Sequence, residues 1–241
     1  MKERLYVIGF MIVLGLVAAI VLTAANALFK PMYEANKERE AKGNVLIALG
    51  IEGWDKARVK TATMDAIKGA FDKHIEEVTV EITLGEGASA TTKPVTFYKG
   101  FRAKPHTDET FIGYAFLITG AGFWDRISGY LAVDAAVEKV IGITFYEDNE
   151  TPGLGHKINE PEWQRTWLGQ SIFKPGTEQP WIGIVPPGTE LKPNEVHAIS
   201  GATETSGALQ KFANSQLKAF VVAVNAYKEA TKGAQTTGDS N

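Results

Sequence analysis

From Leu5 to Leu28 the chain runs LYVIGFMIVLGLVAAIVLTAANAL without a single charged side chain. As a helix rising ~1.5 Å per residue this stretch reaches roughly 36 Å, and the hydrocarbon core of a bilayer is ~30 Å thick. The competing reading is a signal peptide, with MKER as its basic start and Ala25-Asn26-Ala27 as a cleavage site. The apolar run exceeds the ~7–15 residues of such segments, so an uncleaved transmembrane anchor over 1–30 is expected. Lys2 and Arg4 precede the span and Lys30 follows it, which leaves the charge bias weak. The very short N-terminal tail favours an inward N-terminus, with the rest of the chain on the outer face. FVVAVNAY at 220–227 is far too short for a second span.

Composition narrows what the attached domain can do. The net charge is −3, and no block of Lys and Arg is present, so the clustered cations that bind phosphate backbones are missing and nucleic acid is not an expected partner. The chain has no cysteine. Thiol nucleophiles, disulfides, zinc held by thiolates and iron–sulfur clusters ligated by this chain are therefore excluded. His74, His106, His156 and His197 are scattered without ligand spacing, so no metal site is expected.

Beyond the anchor, KPMYEANKEREAK (30–42) predicts that the anchor helix continues as a stalk, and 44–51 and 64–77 read as short amphipathic helices. Strand patterns follow at 78–84, 95–98, 111–120, 129–135 and 140–148, rich in Val, Ile, Phe and Tyr and separated by turn residues, as in an antiparallel sheet. Asp134 to Lys139 reads as a hairpin connection. EPEWQRTWLGQ (160–170) predicts a short helix opened by Pro161, with a Trp163/Trp167 face placed in a core or an interface. A strand over Trp181–Val185 and a long helix follow, the latter marked by the stripe Leu209, Phe212, Ala213, Leu217, Phe220, Val221, Val224 and Tyr227. The polar end predicts a disordered tail over 231–241. The expected fold is α+β, a mostly antiparallel sheet with flanking helices behind one N-terminal transmembrane helix. Its parts are an anchor (1–30), a helical stalk with connecting helices (31–76), a binding domain (77–230) and the tail.

Two stretches carry candidate chemistry. HAISGATETSGAL (197–209) sets Ser200, Gly201, Ala202, Thr203, Thr205, Ser206 and Gly207 directly before the apolar helix stripe. One hydroxyl would serve as an N-cap, which the spacing assigns to Thr203, Thr205 or Ser206. The remaining hydroxyls, among residues small enough for close approach, equally suit an anion on the positive helix end. No G-x-S-x-G elbow surrounds Ser200 or Ser206, so a serine hydrolase is disfavoured. EDNETPGLGHKI (147–158) follows a strand. Its carboxylates lack EF-hand spacing, and Gly153-Leu154-Gly155 opens no helix, so the dinucleotide fingerprint is not met. The residues alone leave a solvated Pro-Gly turn and a ligand-contact loop both open.

In order, the anchor, GFWD (122–125), ETPGLG (150–155), EPEWQRTWLGQSIF (160–173) and SGATETS (200–206) resemble the FMN-binding domain family. Within it they are most similar to the NqrC component of the Na+-translocating NADH:quinone oxidoreductase. The RnfG component of the Rnf ferredoxin:NAD+ complex shares the two central motifs and is the alternative. GFWD and the Trp-rich helix favour NqrC.

The resemblance implies covalent FMN, joined through a phosphoester to Thr203 by a separate flavin transferase. Ser200, Gly201 and Ala202 would leave room for the phosphate, and Thr205 and Ser206 would donate to it or cap the helix. Glu150, Thr151, Leu154, Gly155 and Trp124 are the expected flavin contacts. No residue is expected to act as acid, base or nucleophile, because the flavin does the redox chemistry. Expected partners are other membrane subunits of the oxidoreductase, and the expected place is the bacterial inner membrane with the domain on the periplasmic face. The family's usual aspartate three residues before the motif's first serine is His197 here; near the phosphate, a protonated imidazole would offset its charge. Two other classes fit less of the pattern: a stand-alone anchored flavoprotein, and a non-redox module that binds a phosphate ligand.

Overall fold

The computed structural model describes residues 2–84 and 91–238. It divides into two units, Met1–Glu40 and Ala41–Asn241, and the division falls within the first helix, α1 (Lys2–Ala48). The stretch expected as anchor, stalk and a separate helix at 44–51 is thus helical without interruption through Ala48. Among the described residues of the first unit, the large apolar side chains are exposed. The most apolar window of the helix has a mean hydropathy of 2.8 and is wholly unburied, and the helix is long and apolar enough to cross a membrane.

In the second unit two short helices follow, α2 (Lys56–Thr61) and α3 (Met64–His74). Asp55 and Thr63 cap them, accepting from the amides of Arg58 and Ala66. The pattern expected as helix to residue 77 turns extended at Ile75, where β1 (Ile75–Leu84) begins. The next strands are β2 (Thr91–Phe101), β3 (Phe111–Ala121), β4 (Arg126–Asp134) and β5 (Val140–Glu147). They pair in sequence order as an antiparallel sheet. The β4–β5 connection lacks an Asn-Gly pair, and Asp134 takes over its work by accepting from the amides of Glu138 and Lys139.

Alternation along the strands divides the sheet's two faces. Phe97, Tyr114, Phe116, Ile118, Leu131 and Val133 meet Leu209, Ala213, Leu217, Phe220 and Val224 of the long helix α5 (Thr203–Gly238). The Phe116 and Phe220 rings stack at 4.3 Å. The opposite face offers Ala115, Tyr130 and Ala132 to Val45 and Leu46 at the end of α1, to Leu49 just beyond it and to Phe71 of α3. Gly142 makes this approach possible, since a Cβ there would stand 2.1 Å from the carbonyl oxygen of Ala48.

After β5 the chain forms a 310 helix (Gly155–Asn159), then α4 (Pro161–Arg165), and then the short parallel pair β6 (Gly183–Val185) and β7 (Glu195–His197). Trp167 is fully buried and Trp163 packs on the same core, as expected of that helix face. Composition predicts disorder from residue 231, but α5 continues to Gly238, and 239–241 lie outside the described residues.

Candidate functional site

Three segments meet at the start of α5, and each is shaped by a short-range constraint. The β3–β4 turn closes when the Gly122 amide donates to the Asp125 carbonyl at 2.7 Å. It holds Phe123 and Trp124 outward, 56% and 68% exposed, with their rings edge to face. The loop after β5 turns at Gly153, which has a φ of +78°, and the amides of Leu154 and His156 both donate to the Thr151 carbonyl. Leu154 stays 42% exposed. The third segment turns at Gly201 (φ +77°), where a Cβ would stand 3.0 Å from Leu154 Cδ2. The ETPGLG loop and the SGAT turn are therefore in contact through a leucine and a glycine.

Glu150 ties the segments together. Its side chain is buried, only 4% exposed. Oε1 accepts from the amides of Phe123 (2.8 Å) and Trp124 (3.1 Å), and Oε2 accepts from the Thr205 hydroxyl at 2.6 Å. One carboxylate thus joins the turn, the loop and the helix. Gly122 and Gly155 stand aside for it, since a Cβ on either would come within 2.4 and 2.6 Å of its oxygens. A second tie runs along the surface, where the Trp124 indole N–H donates to Thr151 Oγ1 at 3.0 Å. The Asn149 amide donates to Asp125 Oδ2. The backbone amide of Arg126, and then Asn149, hold the Asp125 carboxyl below its usual range.

Asp148 anchors the loop from the other side. Its side chain, 6% exposed, accepts from His156 Nδ1 at 2.8 Å, from the Asn159 amide at 2.6 Å and from the Glu150 backbone amide at 3.3 Å. Asn159 in turn accepts from Lys56. The carboxylate fixes the ring's tautomer, with the proton on Nδ1. Sequence reasoning singles out neither Asp148 nor Asn149. The available signal is a polar run between a strand and a Pro-Gly turn, where side chains that bond to backbone and to one another are common.

The first turn of α5 departs from the expected roles. Thr205 and Ser206 lie inside the helix, buried, and neither caps it. The Thr205 hydroxyl goes to Glu150, and Ser206 Oγ accepts from the Ile199 amide at 3.1 Å. Both are turned inward because they follow the helix start by two and three residues, which places them on the face that packs on the loop. The residue before the helix is Ala202, which has no side-chain oxygen. Among the described residues, no side chain accepts from the amides of Thr203, Glu204 and Thr205. Thr203 is exposed, and so are Ser200 and Gly201. An outward hydroxyl beside uncapped amides at the positive helix end is a fitting place for a phosphate. The exposed faces of Trp124 and Leu154 fit an adjoining planar ring. Glu150 and Gly155 sit behind this surface rather than on it.

His197 does not serve the first turn. Its Nε2–H donates to the Thr189 carbonyl at 2.9 Å, and its own carbonyl accepts from the Trp163 indole. Its ring is committed to the loop before β7.

Residues 122–218, which span all three segments, match the FMN-binding domain family. In this segment the chain is similar to FMN-binding domains. FMN, the ligand that this family is named for, would suit the phosphate-ready helix start and the apolar faces beside it. Over 223 residues the chain is 26% identical to the NqrC component of the Na(+)-translocating NADH-quinone reductase of Neisseria meningitidis serogroup A, covering 81% of this chain and 83% of that one. The corresponding component in Yersinia pestis is 39% identical over 98 residues, 40% of this chain and 36% of that one. The fold is shared with crystal structures of NqrC from Parabacteroides distasonis (TM-score 0.62, 21% identity, 80% and 94% covered) and from Shewanella oneidensis (0.55, 19%, 78% and 99%).

Proposed function

We propose that this chain is the FMN-carrying, NqrC-type component of a Na+-translocating NADH:quinone oxidoreductase, with the flavin attached through a phosphoester to Thr203. The observation that carries the attachment is the contrast within one helical turn: Thr203 is exposed at uncapped amides, while the hydroxyls of Thr205 and Ser206 are buried and engaged. Similarity to NqrC over four-fifths of the chain supports the complex. When bound, FMN supplies the electron-accepting and electron-donating chemistry.

The chain's own residues hold and shape its place. The amides of Thr203, Glu204 and Thr205 would hold the phosphate, Ser200 and Gly201 would leave room beside it, and Trp124, Thr151 and Leu154 would line the ring. A separate flavin transferase would make the bond. Electrons would pass to and from other membrane subunits, since this chain has no cysteine with which to hold an iron–sulfur cluster. The first unit would anchor the chain in the bacterial inner membrane in a single pass, with the domain on the periplasmic face.

Intact mass and fluorescence of the denatured chain, after co-expression with a flavin transferase, test the attachment. The wild type should carry one FMN, Thr203→Ala none, and Thr205→Ala should keep it. An adduct that survives Thr203→Ala, or is lost only in Thr205→Ala, overturns the assignment.

A further inference from the structure

We infer that Glu150 sets the reduction potential of the flavin at this site, acting as a fixed negative charge behind it. The inference rests on the FMN reading above.

The carboxylates around the site differ in kind. Asp125 is exposed, so water and salt screen it. Glu204 is exposed as well. Asp148 has a histidine within ion-pair distance. Glu150 alone among these is buried without a cation: all three of its donors are uncharged, and it makes no ion pair among the described residues. Hydrogen bonds from two amides and a hydroxyl hold the carboxylate in place without cancelling its charge. The glycines at 122 and 155 leave it against bare backbone. Its oxygens bond directly to the Trp124 amide and to Thr205, two residues from Thr203. A charge in so dry a setting acts over a longer range than a surface charge does.

Reduction adds electrons to the isoalloxazine, and a fixed negative charge nearby opposes any gain of negative charge. Glu150 therefore holds the flavin's potential low. It is a positioning residue for the three segments and an electrostatic one for the ring, and two substitutions separate these roles. Glu150→Gln keeps the shape and an oxygen for the amides of 123 and 124 while removing the charge. Thr205→Val keeps the carboxylate but withdraws one donor from it.

The test is a mediated dithionite titration of the flavin-loaded full-length chain, followed by flavin absorbance. Glu150→Gln should raise the ratio of reduced to oxidised flavin about tenfold at a fixed ambient potential, or ~30 mV for a two-electron couple. Thr205→Val should move it the other way, and the exposed control Asp125→Asn should move it far less than Glu150→Gln. A loaded Glu150→Gln protein with the wild-type potential overturns the inference and leaves the FMN reading intact. If Glu150→Gln does not fold or load, Thr205→Val decides, titrated from pH 7 to pH 9 so that the carboxylate is ionised at the upper end, and an unchanged or raised potential at pH 9 overturns it. A wild type that carries no flavin after co-expression removes the FMN reading and the inference together.

Discussion

The interface between the sheet and α5 and the loop cluster at the start of that same helix are held by opposite means. Along the body of α5 the contacts are apolar and redundant. Phe220 alone meets Phe97, Tyr114 and Phe116, and its neighbours Leu217 and Val224 are as deeply buried. At the first turn the contacts are few, polar and not interchangeable, with one carboxylate joining three segments. Apolar packing tolerates exchange of like for like at modest cost. A buried polar tie does not, because each lost partner leaves another group unsatisfied. Stability is thus spread over the sheet, while the geometry of the site depends on a handful of atoms.

Substitutions on the two sides should break this contrast apart. The largest stability effect belongs to the core. Phe220→Ala should lower the unfolding free energy by about 3–5 kcal/mol in urea titration, yet leave flavin loading intact at temperatures where the protein is still folded. Gly155→Ala comes next. Its Cβ would meet Glu150 Oε2 and Thr205 Oγ1 at 2.6 Å, and overpacking of this kind costs ~1–3 kcal/mol. Unlike the core variant it should impair loading out of proportion to the stability lost, as flavin per folded chain would show.

The smallest effect lies on the outer tie. Asn149→Ala removes a donor to Asp125, so the carboxyl, now held low, should titrate closer to its usual range by NMR. A lowered folded-state pKa stabilises above the unfolded value and is lost as pH falls through the folded one. The variant should therefore differ from wild type near neutrality and converge with it in acid.

How far the sequence is legible follows the same division. Each of the five strands carries a run of β-branched and aromatic residues, and α5 carries an unbroken stripe from Leu209 to Tyr227, so the apolar architecture can be anticipated. What escapes is short or held by polar contacts. The β7 strand has three residues and owes its pairing to β6, which packing brings alongside. The α2 helix has six residues, too few for a stripe to register. The SGATETS hydroxyls announce a helix start, but residue type does not say which hydroxyls face inward. Their direction depends on where the first turn begins, and a start placed three or four residues late makes caps of Thr205 and Ser206. Glu150 stands out as a flavin contact only for its place in the motif. Its inward aim depends on Gly122, which lies in another segment altogether.

The inward turn of Thr205 and Ser206 has a bearing on maturation. In an extended peptide the motif would offer a modifying enzyme several near-equivalent hydroxyls. The folded domain withdraws two of them and leaves Ser200 in the turn before the helix and Thr203 in its first turn exposed. On the proposed reading, the substrate's own tertiary structure then narrows the choice, and folding would have to precede flavin transfer for Thr205 and Ser206 to be spared.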